Sequence, residues 1–125
     1  MTLLVRDVMT IGVPVCRDAE TCGAVAARLT GEVVVALDED GMACGWATRD
    51  QLMAAGCARP VDDVMDEDIP TVPADIPMEA AAQIMRDRGV AHLFLMHDWP
   101  GERRPSAVIS LSAIEARLRE IAPED

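Results

Sequence analysis

The chain has 125 residues, within the usual ~100–200 residues of a single domain, which excludes a large multidomain enzyme. Hydrophobic residues make up 50% and charged residues 26%, the profile of a folded globular protein. Eleven arginines and no lysine face 22 acids, for a formal net charge of −11. That balance argues against nucleic acid and against an anionic membrane surface. It leaves room for a small anionic ligand held locally by an Arg, a His or backbone N–H groups.

No run of ~18 apolar residues predicts a membrane span. Arg6 and Asp7 interrupt the N-terminus before a signal-peptide core can form. The expected location is the cytoplasm. Cys16, Cys22, Cys44 and Cys57 form no C-x-x-C pair and have only two histidines to join them. They read as free, mostly buried thiols in a reducing compartment, in preference to a zinc or redox site. Trp46, Phe94 and Trp99 are the only aromatics, so the core must be aliphatic.

In chain order the elements come twice. Val5-Arg6-Asp7-Val8-Met9-Thr10 opens the chain, and Val61-Asp62-Asp63-Val64-Met65-Asp66 repeats it at an offset of 56. Val13-Pro14-Val15 is answered by Ile69-Pro70-Thr71 at the same offset, each a short strand. Cys22, Val25, Ala26 and Leu29 follow with the spacing of one helix face, as do Met78, Ala81, Ala82 and Met85. Buried strands are predicted at Val34–Leu37 and Leu93–Met96. Asp38-Glu39-Asp40-Gly41 makes a tight turn, whereas His97 to Pro105 reads as a longer connection containing Trp99-Pro100-Gly101. Third strands are expected at Cys44–Thr48 and Ala107–Ser110.

Helices of roughly Arg49 to Ala55 and Ser112 to Ile121 close the repeats, with Pro123 beyond the second and Ser112 as its cap. The units are residues 1–58 and 59–125, linked by Cys57 to Pro60. Neither can bury its apolar faces alone, so the two should pack together. The closing helices carry Leu52, Met53, Ile114 and Leu118, more apolar surface than one strand layer covers, which predicts a homodimer.

This duplicated series resembles a tandem pair of CBS domains, the Bateman module. The two openings resemble the family's V-x-D-V-M-T start. Ala80-Ala81-Ala82-Gln83-Ile84-Met85 with Gly89-Val90-Ala91-His92-Leu93 resembles its A-A-x-x-M … G-[IV]-x-[RH]-L segment. Leu37-Asp38-Glu39-Asp40-Gly41, followed by Gly45-Trp46-Ala47-Thr48-Arg49-Asp50, resembles its V-D-E-D-G … G-I-V-T-x-x-D. The resemblance implies an α/β fold of two βαββα-like repeats packed about a pseudo-twofold axis. It implies clefts that, in many members, bind AMP, ATP or S-adenosylmethionine, and a role regulating another protein. It does not imply catalysis or a cofactor.

The family's hydroxyl, followed three residues later by Asp, is damaged in both repeats. Thr48 and Asp50 are two apart, and Ser110 is followed by Ala113. His92 occupies the family's phosphate-binding position, and Val33 is its partner in the first repeat. The expected site therefore has Val13, Val15 and Ala36 around the base and Thr48 and Asp50 on phosphate and ribose. Ile69, Thr71, His92 and Ser110 come from the second repeat. A nucleotide is expected on the Thr48 and Asp50 side.

Bland roles compete: Thr48 as a helix cap, Asp50 as a partner of the helix dipole, His92 as a hydrogen-bonded strand residue. The alternative function is a protein-interaction scaffold without nucleotide binding. Asp62-Asp63 and Asp66-Glu67-Asp68 read as a solvated linker face, since they lack the glycine of a calcium loop. No G-x-S-x-G, glycine-rich phosphate loop or H-E-x-x-H occurs, so no enzyme is expected.

Overall fold

The computed structural model describes residues 2–100 and 102–121, without the side chains of 98, 99, 102 and 121. Gly101 and Pro123, expected in a connection and beyond the last helix, lie outside the described residues.

The first repeat runs α1 (Val5–Val8), β1 (Thr10–Ile11), β2 (Val15–Arg17), α2 (Cys22–Arg28), β3 (Val33–Leu37), β4 (Ala43–Thr48) and α3 (Arg49–Ala54). The second runs from a 3-10 turn at Val61–Asp63 through α4 (Met78–Arg88), β5 (His92–Trp99), β6 (Glu102–Ser110) and α5 (Leu111–Ile121). One sheet has the order β2-β3-β4, the other β1-β6-β5.

The expected pseudo-twofold arrangement is visible in the backbone. Val15 pairs in parallel with Val35, and the equivalent Thr71 bridges Phe94 in parallel. Thr10 pairs antiparallel with Val108, and the equivalent Asp66 bridges Trp46 antiparallel. The second repeat keeps only this isolated bridge where a strand at Ile69 to Thr71 was expected.

The Thr10–Val108 and Asp66–Trp46 pairings cross between repeats, as do backbone hydrogen bonds of both opening segments. The Val5 N–H donates to the Ile76 carbonyl at 2.9 Å, and the Val61 N–H to the Glu20 carbonyl at 2.8 Å. Val5 lies in a core with Met78, Met85, Leu93, Ile109 and Ile114. Val61 lies in the other, with Cys16, Cys22, Val25, Val34 and Leu52. Each opening segment therefore completes the core of the repeat to which it does not belong in sequence.

The two sheets meet through a third cluster. Strand β3 is buried along its whole length. Its period of two sends Val34 and Ala36 toward the helices, and Val33, Val35 and Leu37 toward Trp46 and Phe94 between the sheets. On the opposite, helix-facing side of β4, Gly45 admits the opening segment of the second repeat. A Cβ there would lie 2.5 Å from the Met65 sulfur and 3.0 Å from the Asp66 carbonyl oxygen.

Two boundaries differ from expectation. The hairpin from His97 to Pro105 is not a loop: β5 and β6 stay paired from His92↔Ser110 to Trp99↔Glu102, past an irregularity at Leu95/Met96. The last helix begins at Leu111, and its cap is Ser110, not Ser112. The Ser110 hydroxyl accepts the Ala113 N–H at 3.1 Å.

Candidate functional site

Register explains which side chains meet. His92 lies opposite Ser110 across β5 and β6, and Val33 lies opposite Thr48 across β3 and β4. Both hydroxyl residues stand where a strand gives way to a helix. Thr48 accepts the Gln51 N–H at 3.1 Å, while the Gln51 side-chain oxygen accepts the Thr48 N–H at 2.8 Å. This reciprocal cap satisfies two helix N–H groups that lack intrahelical partners. Ser110 caps α5 by the same contact, but Ala113 there returns nothing. Gln51, not Asp50, thus holds the position three residues after the hydroxyl, and its amide turns back to the backbone.

Two adjoining clefts meet at His92. The larger, about 340 Å³, is lined by Thr10, Gly12 and Pro14 where the chain crosses between sheets, and by 30–33 leading into the first residue of β3. His92, Val108 and Ser110 complete it from the second repeat. Gly12 has φ +88°, and a Cβ placed on it would meet nothing within 4 Å. The smaller, about 270 Å³, is lined by Glu32, Thr48, Arg49, Asp50 and His92.

Glu32 and His92 form the shared wall. The His92 Nε2 lies 3.4 Å from Glu32 Oε2, and the imidazole is largely covered while Glu32 is 79% exposed. Burial pushes the His92 pKa down from its ordinary 6.5, and the Glu32 carboxylate pulls against it more weakly. At neutral pH the ring is therefore mostly uncharged. Arg49 is engaged by backbone: its Nε donates to the Gly31 carbonyl at 3.1 Å and its Nη2 to that of Leu29.

Of the residues expected at the site, the structure brings Thr48, Asp50 and His92 together in the smaller cleft and His92 and Ser110 in the larger. Val13, Val15, Ala36, Ile69 and Thr71 line neither. Ala36 is fully buried on the helix side of its sheet, by the parity of β3. Val13 and Ile69 pack against the cluster between the sheets. Val15 and Thr71 are exposed.

The two repeats also differ where Trp46 and Val108 are equivalent. The Trp46 indole donates to the Asp68 carbonyl at 3.1 Å, and Asp68 takes Arg88 at 2.8 Å. The equivalent of Asp68 in the larger cleft is Gly12, and small residues leave that side open. Glu32 was not singled out in the sequence. Comparing the repeats marks it, because its equivalent is Ala91.

All four cysteines are free; Cys16 and Cys22 are buried, Cys44 partly so, and Cys57 is exposed. Burial, reinforced by Glu20 for Cys16 and Asp18 for Cys44, pushes both thiols up to about 11. They stay protonated and are poor metal ligands. Among the described residues no group of three His, Cys, Asp or Glu side chains could hold a metal ion. Nor is any helix among them long and apolar enough to cross a membrane.

The sequence model of the CBS domain matches residues 61–120. The fold of the chain is that of solved CBS-domain pairs. It superposes on the CBS domain pair of the protein MJ0100, in complex with 5'-methylthioadenosine and S-adenosyl-L-methionine, with a TM-score of 0.81 at 17% identity. That match covers 96% of this chain and 98% of the other. The CBS-domain containing protein ATU1752 from Agrobacterium tumefaciens gives 0.77 at 21% identity, covering 94% and 95%. The cytosolic domain of the Mg2+ channel MgtE in complex with ATP gives 0.69 at 21%, covering 89% of this chain and 47% of the other. Comparison with curated proteins finds no match. Residues 61–120 are thus a CBS domain, and the whole chain is built as a tandem CBS pair.

Proposed function

We propose that the protein is a regulatory, ligand-sensing module that binds an adenosine-containing small molecule in the clefts that meet at His92. The observation that carries this reading is the larger cleft, about 340 Å³ between the repeats, where Ser110, Thr10 and His92 face the apolar Val108 and Pro14. A few polar groups around an apolar wall suit a base and a sugar. The adenosyl compounds held by MJ0100 and the ATP held by MgtE support the ligand class. Units 1–58 and 59–125 would act as one body, since each completes the other's core. The role is regulatory and not catalytic. The free thiols support a cytoplasmic location.

The test is a thermal-shift panel of adenosine, 5'-methylthioadenosine, S-adenosylmethionine, AMP and ATP. A binder at a hundred times its dissociation constant adds about 2.7 kcal/mol to stability. A flat response to all five favours the second reading, a protein-interaction scaffold. The observation behind that reading is the use of Thr48 and Ser110 as helix caps, with Gln51 and Ala113 in the acid's place.

We further propose a homodimer, through only part of the surface expected, the part around Met53. Leu52 and Ile114 are buried in the cores and Leu118 is half-buried, whereas Met53 is 67% exposed. Met53 borders a groove of about 320 Å³ floored by Ala26, Ala27 and Leu52 between α2 and α3. Light scattering is expected to give twice the 13.5 kDa chain mass, and Met53→Glu to lower it. A wild-type mass of 13.5 kDa at micromolar concentration overturns the dimer.

A further inference from the structure

We propose that Glu32 makes this site select an adenosyl ligand that carries no phosphate, so that an uncharged nucleoside binds in preference to AMP or ATP. The inference rests on the ligand-binding reading above and specifies the chemistry of the ligand.

The argument starts from charge. Among the side chains lining the larger cleft, Glu32 is the one that carries a full charge at neutral pH. The rest of that lining is hydroxyl, glycine, proline, valine and the imidazole of His92. His92 is the group that the resemblance assigns to phosphate, yet its Nε2 lies 3.4 Å from the Glu32 carboxylate. Burial holds the ring in its neutral form, so it does not offset that carboxylate with a positive charge.

The smaller cleft adds a second acid, Asp50, to Glu32. Its one cation, Arg49, turns its guanidinium toward the carbonyls of Leu29 and Gly31. A phosphate entering either cleft meets a carboxylate before it meets an uncommitted cation. Glu32 is 79% exposed, so water and salt screen part of the repulsion, and the effect on a phosphate is modest and salt-dependent. The carboxylate accepts hydrogen bonds from hydroxyl and amino groups instead, and a nucleoside supplies both.

Nothing in the fold demands an acid at this point. The equivalent residue of the second repeat is Ala91, and Glu32 is 79% exposed with no role in either core. Glu32→Gln therefore removes the charge, keeps the shape and leaves packing untouched.

Adenosine, AMP and ATP share base and ribose and differ in charge, so their affinities isolate this effect. Titration calorimetry of the wild type at neutral pH and low salt is expected to show adenosine binding severalfold more tightly than AMP, and ATP more weakly than AMP. In Glu32→Gln the ratio of adenosine to AMP affinity should fall severalfold. The ratio is the readout, because it cancels any general change in the cleft. If AMP binds wild type as tightly as adenosine, or if Glu32→Gln leaves the ratio unchanged, the selectivity is refuted while the ligand-binding reading stands. If none of the three binds either protein, the selectivity is refuted, and the ligand-binding reading falls with it only when 5'-methylthioadenosine and S-adenosylmethionine also fail to bind.

Discussion

Phe94→Ala is expected to cost about 3–5 kcal/mol, the range for emptying a fully buried aromatic site. Phe94 has no exposed surface and sits between the two sheets, against Val33, Val35, Leu37 and Trp46. Its ring meets that of Trp46 edge to face, with centroids 5.5 Å apart and planes at 64°. Such a pair contributes about 0.5–1.5 kcal/mol beyond area burial. Among the described side chains, Trp46 is the only other ring in this cluster. Domains of this size are stable by about 5–15 kcal/mol, so the variant should lose a large share of the total. Urea unfolding followed by Trp fluorescence measures it. A loss below about 1 kcal/mol would mean that the sheets close over the gap and that this cluster does not hold the repeats together.

Val61→Asp should be at least as damaging. Val61 is completely buried among Cys16, Cys22, Val25, Val34 and Leu52, all apolar or neutral. A carboxylate placed among these apolar side chains and thiols loses its hydration, and an uncompensated buried charge costs about 3–5 kcal/mol. Its neighbour Asp62 is exposed, so Asp62→Ala, one residue away, should change stability by no more than about 0.5 kcal/mol. The pair of variants separates a local effect on the linker from an effect on the core. Circular dichroism melts of both report the difference. A Val61→Asp protein that melts with the wild type would show that the opening segment is not seated in the first repeat's core.

Much of the fold was legible because the chain states its pattern twice. Helical spacing at Cys22, Val25, Ala26 and Leu29, repeated at Met78, Ala81, Ala82 and Met85, marks both α2 and α4. Apolar runs at Val34 and Leu93 mark β3 and β5. What spacing cannot say is which core an apolar face enters. Val5 and Val61 are equivalent in sequence, and only the chain path reveals that they exchange places.

The site was less legible for the same kind of reason. Ala36 is apolar and lies on the expected strand, but the parity of β3 turns it to the helices. The two-residue spacing of Thr48 and Asp50 hid Gln51, whose amide takes the helix-cap position. The longer hairpin was hidden because beyond Met96 the strands leave the cores and lose their apolar alternation. His97, Arg104 and Pro105 read as loop residues although their backbones stay paired. Glu32 differs from its repeat equivalent Ala91, but that difference acquires a meaning only from the fold, which sets it beside His92.

The exchange of opening segments has a consequence for how the chain is made. As synthesis proceeds from the N-terminus, Val5 emerges first and its neighbours Met78, Leu93 and Ile114 much later. The other core closes sooner, but only after Val61 has followed the whole of the first repeat. Contacts between residues so far apart in sequence slow folding, because the intervening chain must be ordered before they form. The nascent first repeat must therefore expose its unfinished core until translation has passed the linker. Neither repeat can be inherited, deleted or transplanted alone without leaving one core open, which makes the pair, not the single repeat, the unit on which selection acts.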